Sequence, residues 1–327
     1  MMYGTAQSGQ QKPYRKKHAA FKGLPLTAVF FVKKERNMIQ DIAPLHLDNA
    51  YCDRKPEKND RILAFHENMI YMQKEPELTF LTFDMLKTAC KEKGITLPEH
   101  VYLFSIGEEA YFLMELPEDI TFNGFSYYRM FEVRRLHPKE RILAAATAWH
   151  LYVWYRDNQY CGRCGRKLYH STKQRMLECR ECGNLVFPKI APAVIVGVTD
   201  GSKILMTKYA DREYKRYALI AGFTEIGETA EETVKREVEE EVGLHVKNIR
   251  YYKSQPWGFD SNLLLGYFCE LEQREKIILD TGELSVAEWV DYRDIPDDVE
   301  GLSLTHEMMT VFREEQKRKE SLDSQRN

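Results

Sequence analysis

The sequence predicts an α/β catalytic domain, preceded by a four-cysteine zinc ribbon and, before that, a strand-rich α+β domain. Three observations carry this: two Cys-x-x-Cys pairs near mid-chain, strand-length apolar runs on both sides of one strongly patterned helix, and short alternating apolar runs upstream. The 327 residues, 43% hydrophobic and 30% charged, leave room for two or three domains. With 47 Lys and Arg against 50 Asp and Glu, the net charge of −3 gives no general attraction to nucleic acid or anionic lipid. No uninterrupted apolar run reaches the length of a membrane span. "LPLTAVFFV" is followed by "KKERNM" with no small-residue cleavage site, so a cytoplasmic protein is expected.

Residues 1–37 read as a disordered extension, because the first two dozen are polar and basic without a single acidic residue. Met38 is a candidate natural start. From 38 to 137, "RILAFHENMIYM", "LTFLTF", "HVYLFSIG" and "AYFLMEL" predict strands, with one helix over Phe83–Lys93. His46, His66 and His100 are scattered there and form no catalytic group. Residues 138–160 predict a linking helix, its buried face spaced through Ile142, Ala145, Ala146, Trp149 and Val153.

The ribbon is expected over 161–186. Cys161 and Cys164 precede Cys179 and Cys182 by fourteen residues, and each Cys-x-x-Cys turn aims two thiolates at one point. Two such turns complete a tetrahedral sulfur shell for one Zn2+ per chain. Four thiolates leave no open position, so the zinc is structural. Cys52, Cys90 and Cys269 are single and read as reduced thiols.

The catalytic domain is expected over 187–318, with a tail at 319–327. "APAVIVGV", "KILMTKY", "ALIAGF", "NLLLGYF" and "AEWVDY" supply strands, and "SLTHEMMTVFREEQKRK" a closing helix. Between them "GFTEIGETAEETVKREVEEEVGL" starts a helix at a Thr229–Glu232 capping box and repeats Ala230, Val234, Val238 and Val242 as a buried stripe. Glu237, Glu240 and Glu241 crowd one turn of it. Such neighbours repel by a few tenths of a kcal/mol per pair unless a cation lies among them, and oxygen ligands select Mg2+ or Mn2+.

Gly222, Glu228, Arg236, Glu237, Glu240, Glu241 and Gly243 occupy seven fixed positions of the pattern Gly-x5-Glu-x7-Arg-Glu-aliphatic-x-Glu-Glu-x-Gly-aliphatic. At roughly 7% per residue type, seven such matches arise by accident less than about once in 10^7. The stretch resembles the Nudix box. That resemblance implies an α/β/α sandwich around a mixed sheet, and hydrolysis of a nucleoside diphosphate linked to another group. Glu237, Glu240 and Glu241 would then hold the cation and carry catalysis, with Arg236 and Glu228 orienting the loop and Gly222 allowing a tight turn. A broader dinucleotide or ADP-ribose diphosphatase, or a nucleic-acid-binding regulator with a silenced domain, are the competing readings.

The ribbon, the joining segment "FPKIAPAVIV" and "SQPWGF" at 254–259 narrow the resemblance to NADH pyrophosphatases of the bacterial NudC type. For that family the resemblance implies a homodimer that splits NAD(H) into nicotinamide mononucleotide and AMP, with NAD-capped RNA a further substrate. It places Phe187, Phe223, Ser254, Gln255, Trp257 and Phe259 at the substrate, and Glu283 there as one more metal ligand. One departure stands out. Where the family has Ser-Gln-Pro-Trp-Pro-Phe-Pro-x-Ser, this chain has Gly258, Asp260 and Asn262 in place of two prolines and the last serine. Two lost φ locks predict a looser loop.

Overall fold

The computed structural model describes residues 38–210, 216–297 and 301–326. The expected disorder of residues 1–37 falls outside them. In the N-terminal region β1 (Leu47–Asp48), β2 (Arg61–Leu63), β3 (Phe65–His66), β4 (Met69–Met72), β5 (Leu81–Thr82), β6 (His100–Ile106), β7 (Glu109–Met114) and β8 (Ser126–Arg129) form two sheets. One runs in the order β1-β6-β7-β2-β5, the other β3-β4-β8. Helix α1 covers Phe83–Lys93, the expected span. Thr82 caps its start and Gly94, at φ 65°, ends it in the left-handed conformation that glycine adopts without strain. A short α2 (Met130–Val133) leads into α3 (Lys139–Asp157).

Helix α3 is more than a link. Ile142, Leu143, Ala144, Ala145, Ala146, Ala148 and Trp149 are buried in one cluster with Leu63, Phe104 and Tyr111 of the N-terminal sheets. Its alanines bring the backbone close to whatever packs on it. The ribbon follows as β9 (Leu168–His170), β10 (Leu177–Cys179) and β11 (Leu185–Val186), a three-stranded antiparallel sheet.

Next come β12 (Ala191–Asp200), β13 (Lys203–Tyr209), β14 (Ile220–Phe223), α4 (Ala230–Val242), β15 (Val246–Trp257), β16 (Asn262–Leu271), β17 (Leu284–Asp291) and α5 (Leu304–Arg326). The sheet runs β15-β16-β12-β13-β17, with β14 paired to β12. Strands β12 and β16 are parallel while their neighbours are antiparallel, so the sheet is mixed. Alternate residues of β12 face opposite layers, as a period of two requires. Val194, Val196 and Val198 pack with Val234, Val238 and Val242 of α4. Ala193 and Ile195 pack with Leu304, Met308 and Phe312 of α5. This is the α/β/α sandwich.

Two expectations need correcting here. The segment read as a tail from 319 continues α5 to Arg326, since no Pro or Gly interrupts 303–327 and its Glu, Lys, Arg and Gln residues are good helix formers. The supposed loop at 254–257 is the end of strand β15, whose irregular register and polar residues hid it from pattern reading. Pro256 is tolerated because β15 lies at the sheet's edge. Met38, fully buried, joins the cluster of Leu304 and Met308, so the N-terminal region and the sandwich share core at this point.

Candidate active site

Helix α4 starts where the capping box predicts. The Thr229 hydroxyl accepts from the Glu232 backbone N–H at 3.2 Å, and the Glu232 carboxylate accepts from the Thr229 N–H at 2.8 Å. Gly243, at φ 64°, ends the helix. Val234, Val238 and Val242 are 0% exposed. Burying each is worth about 2 kcal/mol, which outweighs repulsion of a few tenths per glutamate pair. The last turn carries no basic residue to complement the helix dipole, so its glutamates are placed at a cost.

Arg236 organises the loop ahead of the helix. Its Nε donates to Glu228 Oε1 at 2.6 Å and its Nη2 to Glu228 Oε2 at 2.9 Å, a bidentate pair. Nη2 also reaches the Phe223 carbonyl at 2.9 Å, while Nη1 donates to Glu237 at 2.7 Å and Glu240 at 2.9 Å. The guanidinium holds the Glu228 carboxyl down at about 2, helped by the Glu225 backbone N–H. Thr233, fully buried, adds a hydroxyl bond to Glu228 Oε2 at 2.9 Å. Sequence reading passed over Thr233; a hydroxyl among the buried residues of a helix was the available signal.

Glu237 is 8% exposed and Glu241 2%, whereas Glu240 faces solvent. Burial pushes the Glu237 carboxyl above its ordinary range, Arg236 opposes that, and Glu240 and Glu283 add to it. Glu283 is therefore close enough for its charge to be felt. Gly222 corrects the expected tight turn: it lies within β14, opposite Val194, and its φ is not in the left-handed region. A Cβ there would stand 1.8 Å from the Glu237 carboxyl carbon. Glycine is required for space. The cradle it leaves around a buried carboxylate, with an all-oxygen donor set beside it, fits a hard divalent cation.

The remaining site residues divide. Phe187 and Phe223 are about half exposed, at 50% and 55%. Gln255 is 0% exposed, and its amide is occupied. Nε2 donates to Gln40 Oε1 at 3.2 Å and to the Leu302 carbonyl at 2.8 Å, while Oε1 accepts from the Leu304 N–H at 2.7 Å. Ser254 offers its carbonyl to Gln40. Trp257 is buried with Arg134 stacked 4.9 Å over its ring, and Trp149 Nε1 bonds the Phe259 carbonyl at 3.2 Å. The expected looseness at 258–260 is not what the structure has. A 3-10 turn spans Gly258–Asp260, the Trp257 indole donates to Asp260 at 2.9 Å, and a Cβ at Gly258 would lie 2.2 Å from the Ala146 carbonyl oxygen. Glycine stands where proline was expected because α3 leaves no room.

In the ribbon, the sulfurs of Cys161, Cys164, Cys179 and Cys182 lie within 4.8 Å of one another. Cys161 and Cys182 are 3.6 Å apart, Cys164 and Cys179 3.5 Å. Backbone N–H groups of Arg163 and Cys164 favour the Cys161 thiolate. These four can hold one tetrahedral metal ion.

Residues 189–312 match the family model described as NUDIX domain. This part of the chain is a Nudix domain. Its curated relatives include proteins named NAD-capped RNA hydrolase NudC from Escherichia coli O1:K1 and from strain SMS-3-5, each 39% identical over 146 residues, 45% of this chain and 56% of the relative. The chain thus spans little more than half the length of the curated relatives it matches. A NUDIX hydrolase structure from Nitrosomonas europaea aligns at 21% identity and TM-score 0.43, over 48% of this chain and 91% of that one. Among the described residues, no helix is long and apolar enough to cross a membrane.

Proposed function

We propose that the chain hydrolyses the diphosphate bond of NAD or NADH, releasing nicotinamide mononucleotide and AMP, and acts likewise on NAD-capped RNA ends. The observation that carries this is the carboxylate array on α4, with Glu237 seated in the Gly222 cradle and Arg236 clamped to Glu228. The substrate class is drawn from the relatives' names. Glu237, Glu240, Glu241 and Glu283 would hold Mg2+ or Mn2+, which when bound neutralises diphosphate charge and lowers the pKa of water. Arg236 and Glu228 fix the loop from Phe223 to Glu228, so the array is shaped before substrate arrives. Phe187 and Phe223 offer faces on which a flat base or nicotinamide ring stacks. The ribbon zinc is structural, and the working form is a cytoplasmic homodimer.

Product analysis tests the reading. The purified protein with Mg2+ is expected to convert NADH and NAD to nicotinamide mononucleotide and AMP, and Glu240→Gln and Glu241→Gln to lose that conversion. ADP-ribose cleaved as fast as NADH would move the assignment to a broader diphosphatase. No cleavage of any dinucleotide, together with salt-dependent RNA binding, would overturn it in favour of a regulator.

A further inference from the structure

We infer that Asp280 is a positioning residue that fixes the turn carrying Glu283 and ties it to the helix end carrying Glu241. The inference rests on the reading of these glutamates as cation ligands. The Glu283 charge is felt at Glu237 from outside the box, in the turn just ahead of β17, so something must set the distance of this turn from α4. Asp280 makes the connection with three groups. Its backbone N–H donates to the Glu241 carbonyl at 2.9 Å. Its own carbonyl accepts from the N–H of Leu284 at 2.9 Å and of Glu283 at 3.3 Å. Its side-chain Oδ1 accepts from the Gly282 N–H at 2.8 Å, closing the Asp-Thr-Gly turn between the two elements.

Neighbouring bonds make this a register. The Ile278 N–H donates to the Val242 carbonyl at 2.9 Å, so residues 278 and 280 both run along the end of α4. The Glu283 carbonyl in turn accepts from the Ala210 N–H at 2.8 Å, holding the far side. The two backbone links at Asp280 survive substitution by any residue but proline, whereas the side-chain link is lost unless an acceptor is kept. Without it the turn gains freedom and Glu283 is no longer held at one distance from Glu241. Asp280 and Gly282 are both exposed, so the change leaves the core intact. A carboxylate is not needed for this role: an amide oxygen accepts the same bond.

The test titrates Mn2+ into the zinc-loaded full chain and follows free Mn2+ by its paramagnetic resonance signal, without substrate. Asp280→Ala is expected to weaken Mn2+ binding about tenfold, the low end for losing a contact that supports a metal ligand. Asp280→Asn is expected to bind within about twofold of the wild type, since it keeps the acceptor. Cleavage of NADH should follow, with a higher Mn2+ requirement for Asp280→Ala and unchanged kcat at saturation. Wild-type binding by Asp280→Ala would overturn the inference, and so would equal losses in both variants, which would assign the effect to charge. If the wild type shows no Mn2+ binding that Glu241→Gln abolishes, the metal reading itself fails, a result distinct from either of these.

Discussion

The two clusters proposed to hold cations are assembled in opposite ways. In the ribbon, two short turns bring four sulfurs within 4.8 Å, and every sulfur comes from 22 consecutive residues. In the Nudix domain the proposed ligands sit on α4 and in the turn just ahead of β17, space comes from β14, and the Arg236 guanidinium bonds Glu237 and Glu240. Among the described residues only the cysteines form a converged group. The ribbon geometry is closed, as would suit a metal that stays. The glutamates keep a spread arrangement, as would suit the proposed role of a cation arriving and leaving with a diphosphate.

The sharpest way to break this contrast is Glu241→Gln, expected to lower NADH turnover by about three orders of magnitude. Thermal unfolding without divalent cation should stay at or above the wild-type temperature, because the crowding of like charges on this turn of α4 is relieved. Near wild-type turnover at saturating Mg2+ would place the chemistry elsewhere. Gly222→Ala comes next, with an expected loss of about 100-fold from displacing the Glu237 carboxylate by an ångström or more. A merely conformational role for this glycine would leave turnover intact, as its φ suits alanine.

Cys179→Ser should act the other way round. Metal analysis is expected to find about one zinc per wild-type chain and less in the variant, with a lower unfolding temperature and turnover within about threefold. A collapse of turnover at temperatures where the variant is folded would tie the ribbon to the chemistry. The smallest effect concerns acid. Glu228 is held near 2 in the folded chain against 4.5 ordinarily, so its stabilisation is complete above 4.5 and is lost as pH falls toward 2. Glu228→Gln should remove part of the acid-induced loss of stability in that window, measured as the difference between two unfolding curves. An identical pH dependence would mean that the Arg236 pair does not contribute.

What could be read from sequence follows the same division. The cysteine turns, the capping box, the valine stripe of α4 and the Glu228–Arg236 pair are all set by short-range spacing, and the structure has them as expected. Gly222 was visible as a fixed position but not for its reason, since the clash it avoids is with a side chain fifteen residues later. Gln255 and Trp257 show the limit. Their motif is legible, yet their neighbours come from Gln40, Leu302 and Arg134, and no local pattern discloses those contacts. Strand β15 was missed because its apolar residues do not alternate. The side chains of Thr233 and Asp280 act through hydrogen bonds, which leave no periodic trace.

The close seat of Gly258 on the Ala146 carbonyl has a bearing on how this molecule can be cut. A fragment beginning at residue 187 would lose the α3 wall behind Trp257 and Phe259, and Met38 from beside Leu304 and Met308. It would present those side chains to water as a sticky apolar face, and its usual fate would be aggregation. The boundary drawn between accessory and catalytic regions in the sequence is thus no place for a scissor. In the folded chain, residue 38 onward behaves as a single piece of matter.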